Sequence, residues 1–356
     1  MNNNIDSKII SFLRFPMIIG IVLIHSGVEL NYNYTQYPIY NYVVNNGIIG
    51  TFTRICVPLF FMISGYLFYY KLNDLNIKTY LYKLTRRIHS LFIPYVFWNS
   101  LAICLFFVMD VAFPRLKSGA TPPLSDISTF FSLYWMKKPD LLPIVPQFWF
   151  IRNLMIIVVL TPVIYWLINR LKLLIVLFWG ILWVLHIYEF MIPGTMALFF
   201  FTLGAYFSIN YKKISDFAIK NKWVGFPYPL FALFDIITKN QVYNIYIHNI
   251  AILSGMIFVI NLLLFIINKK SNFYPSKTLL ASTFFIFAAH EPYMGKFKTV
   301  CYKILPTISL NKSVADIQFL IYYIFVAALW IILLITVYCC LNKISNKFTL
   351  FITGGR

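Results

Sequence analysis

Charge is what this chain has least of. Asp, Glu, Lys and Arg together make up 12% of its 356 residues, against 60% hydrophobic residues, and mean hydropathy is +0.75. A soluble fold of this length would carry about twice that charge on its surface, so the scarcity excludes one and points to a membrane protein. Acidic residues are scarcer than basic ones: 11 Asp and Glu against 30 Lys and Arg give a formal charge of +19. Cysteine is sparse and scattered. Cys56, Cys104, Cys301, Cys339 and Cys340 fall in or near apolar segments. None shows metal-ligand spacing, so they read as reduced packing residues and no metal site is expected. A cleavable signal peptide is not expected either. The apolar run from Ile9 leads at once into further apolar runs, with no convincing small-residue cleavage site. The end segments, Met1–Lys8 and Asn342–Arg356, are too short to fold alone, so a single integral-membrane domain over 1–356 is expected.

What is present in abundance is apolar sequence of bilayer-crossing length. The pattern predicts an all-α polytopic membrane protein with about ten transmembrane helices. They are expected at 9–28, 47–70, 90–110, 148–168, 171–188, 194–210, 223–238, 243–267, 278–294 and 317–341. The seventh is the weakest, interrupted by Pro227, Pro229 and Asp235. With both termini in the cytoplasm, the inner loops and tails hold 18 Lys and Arg and the outer loops 9, while Arg14, Arg54 and Arg152 sit inside spans. That bias supports cytoplasmic termini. It also makes the positive charge topological, so nucleic-acid binding is not expected. The longest outer connection, 111–147, carries Pro122, Pro123, Pro139, Pro143 and Pro146. It is long for a turn and is expected to cover a site.

Within this apolar background the first span, ISFLRFPMIIGIVLIHSG, holds both Arg14 and His25, eleven residues apart. At ~100° and ~1.5 Å per residue they share nearly one helix face and lie roughly 16 Å apart. Embedded ionisable groups are costly, and they usually face a bundle interior or a watery cavity. Sorted by depth, the embedded polar residues form two layers. The outer one holds His25, Arg54, Arg152, His290 and Glu291; the inner one holds Arg14, Ser64, Arg86 and Arg87, with Lys83 nearby. The inner layer is cationic and suits a polyanion bound by paired guanidinium donors. The outer layer mixes imidazole, carboxylate and guanidinium, the set that deprotonates a hydroxyl and stabilises an oxyanion. Plainer readings stand beside these. A membrane Arg near a span end can snorkel, and His25 can be a satisfied core histidine. His89, His186 and His248 show no charged partner in sequence and read as structural, as do Asp110 and Asp235 at span ends.

Six segments, in order along the chain, resemble the acyltransferase 3 family of integral-membrane acyltransferases. They are Arg14 to His25 in the first span, RICVPLFFMISGYLF (54–68), RRIHSLFIPYVFWN (86–99), QFWFIRNL (147–154), FFTLGAYFS (200–208) and STFFIFAAHEPYM (282–294). The chain looks most like the stand-alone subgroup that O-acetylates bacterial surface glycans such as enterobacterial common antigen and exopolysaccharides. The resemblance implies ten spans with both termini inside, in a prokaryotic inner membrane. It implies acetyl-CoA or a related acyl-CoA as donor and a hydroxyl of a lipid-linked or exported glycan as acceptor, with glycan-assembly machinery as a possible partner. The family's essential first-span histidine maps onto His25 and its arginine onto Arg14. The basic pair maps onto Arg86 and Arg87.

On this reading Arg86 and Arg87, with Lys83 nearby, hold the phosphates of acyl-CoA, and the pantetheine arm passes Arg14 and the small Ser64-Gly65 pair. His25 acts as general base or as acyl carrier, two roles left open. Glu291 orients an imidazole, and Arg54 or Arg152 stabilises the oxyanion or holds an acidic sugar. Two other classes fit the composition: a transporter or flippase, and an inactive acyltransferase-like sensor or assembly factor.

Overall fold

The computed structural model describes residues 5–27, 38–72, 74–112, 127–137, 139–189, 192–210, 212–269, 274–304 and 312–355. Of the long connection at 111–147, residues 113–126 and Lys138, including Pro122 and Pro123, lie outside the described residues. The chain is helical almost throughout, and the described residues form only one isolated β-bridge, Lys137 to Leu142.

Among the described residues five helical runs are long and apolar enough to cross a bilayer: Ile5–Ser26, Pro38–Tyr69, Ile77–Ala112, Asn244–Lys269 and Ala315–Ile344. They overlap the first, second, third, eighth and tenth expected spans, the second beginning at Pro38 instead of 47 and the third at Ile77 instead of 90. The fourth expected span is instead two helices, Pro146–Val159 and Thr161–Leu171, bent by 64°. Pro162 has no N–H to continue the ladder and turns the axis there. The remaining four expected spans are short helices: Leu173–Val184, Thr195–Ile209 and Lys277–Ala289, with Tyr228–Ile237 at ten residues. At ~1.5 Å per residue they measure roughly 15–23 Å, less than the ~30 Å hydrocarbon thickness. Proline accounts for the ends: Pro193 precedes one, Pro227 another, and Pro292 follows a third.

Eight helices position the site. They are α1 (Ile5–Ser26), α2 (Cys56–Tyr69), α3 (Ile77–Arg87), α4 (Ile93–Ala112), α5 (Trp149–Val159), α6 (Thr195–Ile209), α7 (Lys277–Ala289) and α8 (Asn346–Thr353). The closest packing is between α2 and α6. A Cβ on Gly65 would lie 2.1 Å from the Phe201 carbonyl oxygen, and one on Gly204 would lie 1.9 Å from the Met62 carbonyl oxygen. The two backbones therefore touch, which only glycine permits. Gly65 faces α6 and leaves no room for a ligand, whereas its neighbour Ser64 faces an open cavity. This corrects the expectation that the pair together makes space.

Two of the acidic residues inside the protein, Asp6 and Asp316, accept from backbone amides at helix starts. Asp6 accepts from the Ile214 and Ser215 amides and from the Tyr66 hydroxyl, each at 3.0 Å. Asp316 accepts from the Ile39 and Tyr40 amides at 2.7 Å. Helix α3 begins with Asn76, whose side chain accepts from the Thr79 amide at 2.9 Å. It ends with Arg86 and Arg87, where the helix dipole favours cations.

Candidate functional site

The inner polar layer forms one wall of a real space. A cavity of about 650 Å³ is lined by Arg14, Ser64, Arg86 and Arg87, four residues read from sequence as one group, drawn from α1, α2 and α3. Among the described residues Arg14 forms no hydrogen bond or ion pair, so its guanidinium is available to a ligand. Arg86 receives one long contact, donating to the Tyr82 hydroxyl at 3.4 Å. Arg87 lies 6.0 Å from the Phe68 ring. Lys83, by contrast, donates to the Phe68 carbonyl at 2.5 Å and is not among the lining residues.

Two further contributions were not read from sequence. Lys277, counted there only as an inner-loop charge, lines the cavity at the first position of α7. A cation at a helix N-terminus opposes the dipole, so helix stability does not explain it. Gly354 and Gly355, just beyond α8, line the same space. Their backbone angles φ of 72° and 78° favour glycine. A Cβ on Gly354 would come within 2.6 Å of the Ser90 carbonyl. Helix α8 is held there by Trp98, whose indole donates to the Ile352 carbonyl at 3.0 Å.

The opposite end of the same two helices carries the imidazoles. Helix α1 runs from Arg14 to His25, and α7 runs from Lys277 to His290, one residue past its end. The two rings meet with centroids 5.1 Å apart. Glu291 joins them: its Oε1 lies 3.8 Å from His25 Nδ1, and the side chains are 33% and 16% exposed for His25 and Glu291. His290 is fully buried. Its Nδ1 sits 2.9 Å from the Phe287 carbonyl and 3.2 Å from that of Ile286. A carbonyl only accepts, so Nδ1 carries the proton and Nε2 is left as the acceptor. That Nε2 is buried and has no hydrogen-bond partner among the described residues. His25, His290 and Glu291 are thus brought together, with the carboxylate facing His25.

Two side chains that sequence reasoning passed over hold this end in place. Gln147 Nε2 reaches the carbonyls of Phe287, Ala288 and Glu291 at 3.3, 3.2 and 3.0 Å. It thereby fixes the exit from α7. The only sequence signal was an amide inside the apolar QFWFIRNL segment. Lys298 donates to the His25 and Gly27 carbonyls at 2.8 and 2.7 Å, closing the C-terminal end of α1.

The two remaining guanidiniums behave differently. Arg54 is exposed on a 3-10 turn and donates through Nε to the Ile49 carbonyl at 2.9 Å. Arg152 is buried, and its Nη1 donates to the Trp135 and Leu141 carbonyls at 2.6 and 3.0 Å. It ties the long connection to α5, and a ligand would have to compete with those carbonyls.

Asp235 corrects the reading of a plain span-end residue. It is fully buried and bonds Lys239 at 2.8 Å, His248 at 2.9 Å and the Thr51 hydroxyl at 2.7 Å. His248, expected to lack a charged partner, therefore has two neighbours of that kind. His186 has one in Glu189, at 3.9 Å.

The model of a family described as an acyltransferase domain, acyltransferase 3, matches residues 7–342. The chain belongs to the acyltransferase 3 family. No curated protein and no solved structure matches it. The matched stretch takes in both ends of the site, from Arg14 to His290 and Glu291, so this membrane acyltransferase holds its cations and its imidazoles within the family's own domain. The chemistry of the two ends fits acyl transfer in general: one end can neutralise an anionic donor, and the other can accept a proton.

Proposed function

We propose that this acyltransferase 3 protein moves an acyl group, acetyl above all, from acyl-CoA to a hydroxyl of a lipid-linked or exported surface glycan. The observation that carries the reading is that α1 and α7 both run from the cavity to the imidazole pair: Arg14 lines the cavity eleven residues before His25, and Lys277 lines it thirteen residues before His290. Arg86, Arg87 and Arg14 meet the phosphates of the donor, and Ser64 flanks its arm.

In direct transfer the acceptor oxygen attacks the thioester carbonyl. A C–O bond forms and the C–S bond breaks. The hydroxyl proton passes to His25 and from there to the departing thiolate. With an acyl-His intermediate, His25 attacks the thioester carbonyl and CoA leaves as the thiolate; the hydroxyl oxygen then takes the acyl group, the C–N bond breaks, and the hydroxyl proton passes to the freed imidazole and on to the thiolate. Both schemes need an imidazole reachable by donor and acceptor, and both are kept. Glu291, on the His25 side, stabilises the imidazolium. His290 offers Nε2 as a second acceptor, and Arg54 is the cation suited to an oxyanion or an acidic sugar. The topology that goes with this reading has ten crossings in a prokaryotic inner membrane, both termini cytoplasmic, with the short helices counted as spans and the donor entering from the cytoplasm. Glycan-assembly machinery would supply the acceptor.

The deciding experiment compares surface glycans from cells with and without the gene by mass spectrometry. Loss of a hydroxyl-linked acyl group supports the proposal. An unchanged acyl profile, with no consumption of acetyl-CoA by the purified protein, overturns it. Solute or lipid movement without CoA release would identify a transporter instead.

Two substitutions probe the parts. The double variant Arg86→Ala/Arg87→Ala is expected to raise KM for acyl-CoA about tenfold or more, since each charge-assisted bond is worth ~1.5–3 kcal/mol. KM for the acceptor should move far less, and equal rises in both would deny these arginines a donor role. Gln147→Leu removes the grip on the Phe287, Ala288 and Glu291 carbonyls without touching the cavity cations. We expect kcat to fall between about ten- and a hundredfold, as for a small misplacement of reacting groups, with KM for acyl-CoA nearly constant. Gln147→Glu, which has no donor to offer the carbonyls, should be no better. A change in KM alone would rule out this positioning role.

A further inference from the structure

The cavity has a direction. Along α7 its lining residues are Lys277, Leu280, Ala281, Thr283, Phe284 and Phe287. That is one helical stripe spanning ten residues, or roughly 15 Å. It begins with a cation and finishes with an aromatic ring. Two other helices supply rings to the same end, Phe60 from α2 and Phe150 from α5. Phe150 joins the other two, with centroids 6.0 Å apart for Phe60–Phe150 and 6.0 Å for Phe150–Phe287.

The imidazoles lie directly behind this floor. The Phe287 ring is 6.2 Å from that of His290, and His290 is 5.1 Å from His25. Neither histidine is among the lining residues of the cavity. Phe287 therefore both lines the cavity and places its ring beside the imidazole pair. Its backbone is pinned from two sides, by Gln147 Nε2 at 3.3 Å and His290 Nδ1 at 2.9 Å, and Phe148 stacks on its ring at 5.9 Å. The main chain is thus held in place, and the size of the side chain sets how much room is left at this end of the cavity.

We infer that the Phe287 ring bounds the donor cavity where it meets the imidazole pair, and that its size sets the length of acyl chain the protein accepts. The inference rests on the acyl-CoA reading of the cavity. A CoA thioester anchored by its phosphates at the Arg86, Arg87 and Lys277 end extends its arm along the α7 stripe and meets Phe287 with its acyl carbons. A two-carbon group fits beside the ring with its carbonyl toward the imidazoles, while each further methylene must displace the ring. Discrimination per methylene in an apolar pocket is worth ~1–3 kcal/mol, about ten- to two-hundredfold. This is the range in which a single side chain can set a preference.

The test is equilibrium binding of acetyl-CoA, butyryl-CoA and hexanoyl-CoA to the purified full-length protein in detergent, with free CoA as reference. It needs no acceptor. Wild-type affinity is expected to fall as the chain lengthens beyond two carbons. Phe287→Ala should raise the hexanoyl-to-acetyl affinity ratio about tenfold or more, with Phe287→Leu intermediate. Phe287→Trp should weaken acetyl-CoA relative to free CoA. Phe284→Ala, on the side wall of the same stripe, should leave the ratio where it was. Phe287→Leu keeps the measurement decisive if the alanine variant does not fold. A wild-type protein that binds none of the thioesters defeats the acyl-CoA reading itself. A protein that binds them, with the same chain-length ratio in Phe287→Ala or Phe287→Leu as in wild type, leaves that reading intact and overturns the role of Phe287. An equal shift in Phe284→Ala overturns it too, because the ring would then be ordinary wall.

Discussion

His25→Ala is expected to lower acyl transfer by at least about a hundredfold, the usual contribution of a positioned general base, while the protein remains folded and inserted. The two halves of this expectation have separate grounds. Loss of activity follows from chemistry: both the direct and the acyl-His schemes route the reaction through this imidazole, and His290 cannot replace it as a carrier while fully buried. Retention of the fold follows from geometry. The His25 side chain is about one-third exposed, and its contact to Glu291 at 3.8 Å is too long for a hydrogen bond. Truncation therefore strands no buried hydrogen-bonding partner. The bond that ties down this end of α1 comes from Lys298 to the His25 main-chain oxygen, at 2.8 Å, and survives the substitution. The measurement is transfer of labelled acetyl from acetyl-CoA into native membranes, beside a size-exclusion profile in detergent. A folded variant that transfers at the wild-type rate removes His25 from the mechanism.

Substitution at the crossing of α2 and α6 has the opposite signature, loss of the fold. Gly204→Ala would drive a Cβ to 1.9 Å from the Met62 carbonyl oxygen, and Gly65→Ala would drive one to 2.1 Å from that of Phe201. Both obstacles are main chain in the middle of helices, so neither can rotate away. The helices must separate, with loss of the contacts on either side. Overpacking of this kind costs about 3 kcal/mol or more where nothing yields. We expect either variant to lower the thermal midpoint in detergent by several degrees or to prevent recovery of a monodisperse protein. Gly295→Ala is the control, because a Cβ there meets nothing within 4 Å. Equal midpoints for Gly204→Ala and Gly295→Ala would mean that the crossing does not hold the bundle together. The result also bears on the site, since α2 presents Phe60, Ile63 and Ser64 to the cavity from the side opposite Gly65.

Particular residues show where sequence reading succeeded. Arg14, Ser64, Arg86 and Arg87 were grouped by depth alone, and they line one cavity. His25, His290 and Glu291 were grouped in the same way, and they meet at the other end. Depth is legible because helical rise is fixed by local backbone hydrogen bonding, so position along a span converts directly to distance across the membrane. Arg152 was grouped by the same rule, yet its guanidinium is engaged by the Trp135 and Leu141 carbonyls. Depth says nothing of what stands opposite a side chain at that level.

By itself the sequence determined that the protein lives in a membrane, that it is helical, where its five longest apolar helices run, and which family it belongs to. Each of these depends on composition, on periodicity along one segment or on short motifs, and so on interactions within a few residues. The tertiary structure alone decided that Gly65 packs instead of making space, that Asp235 meets His248, that Gln147 grips the exit of α7, and that the Phe287 ring lines the cavity 6.2 Å from His290. Those pairings join residues up to 144 positions apart. They follow from how whole helices pack face to face, which no local pattern encodes.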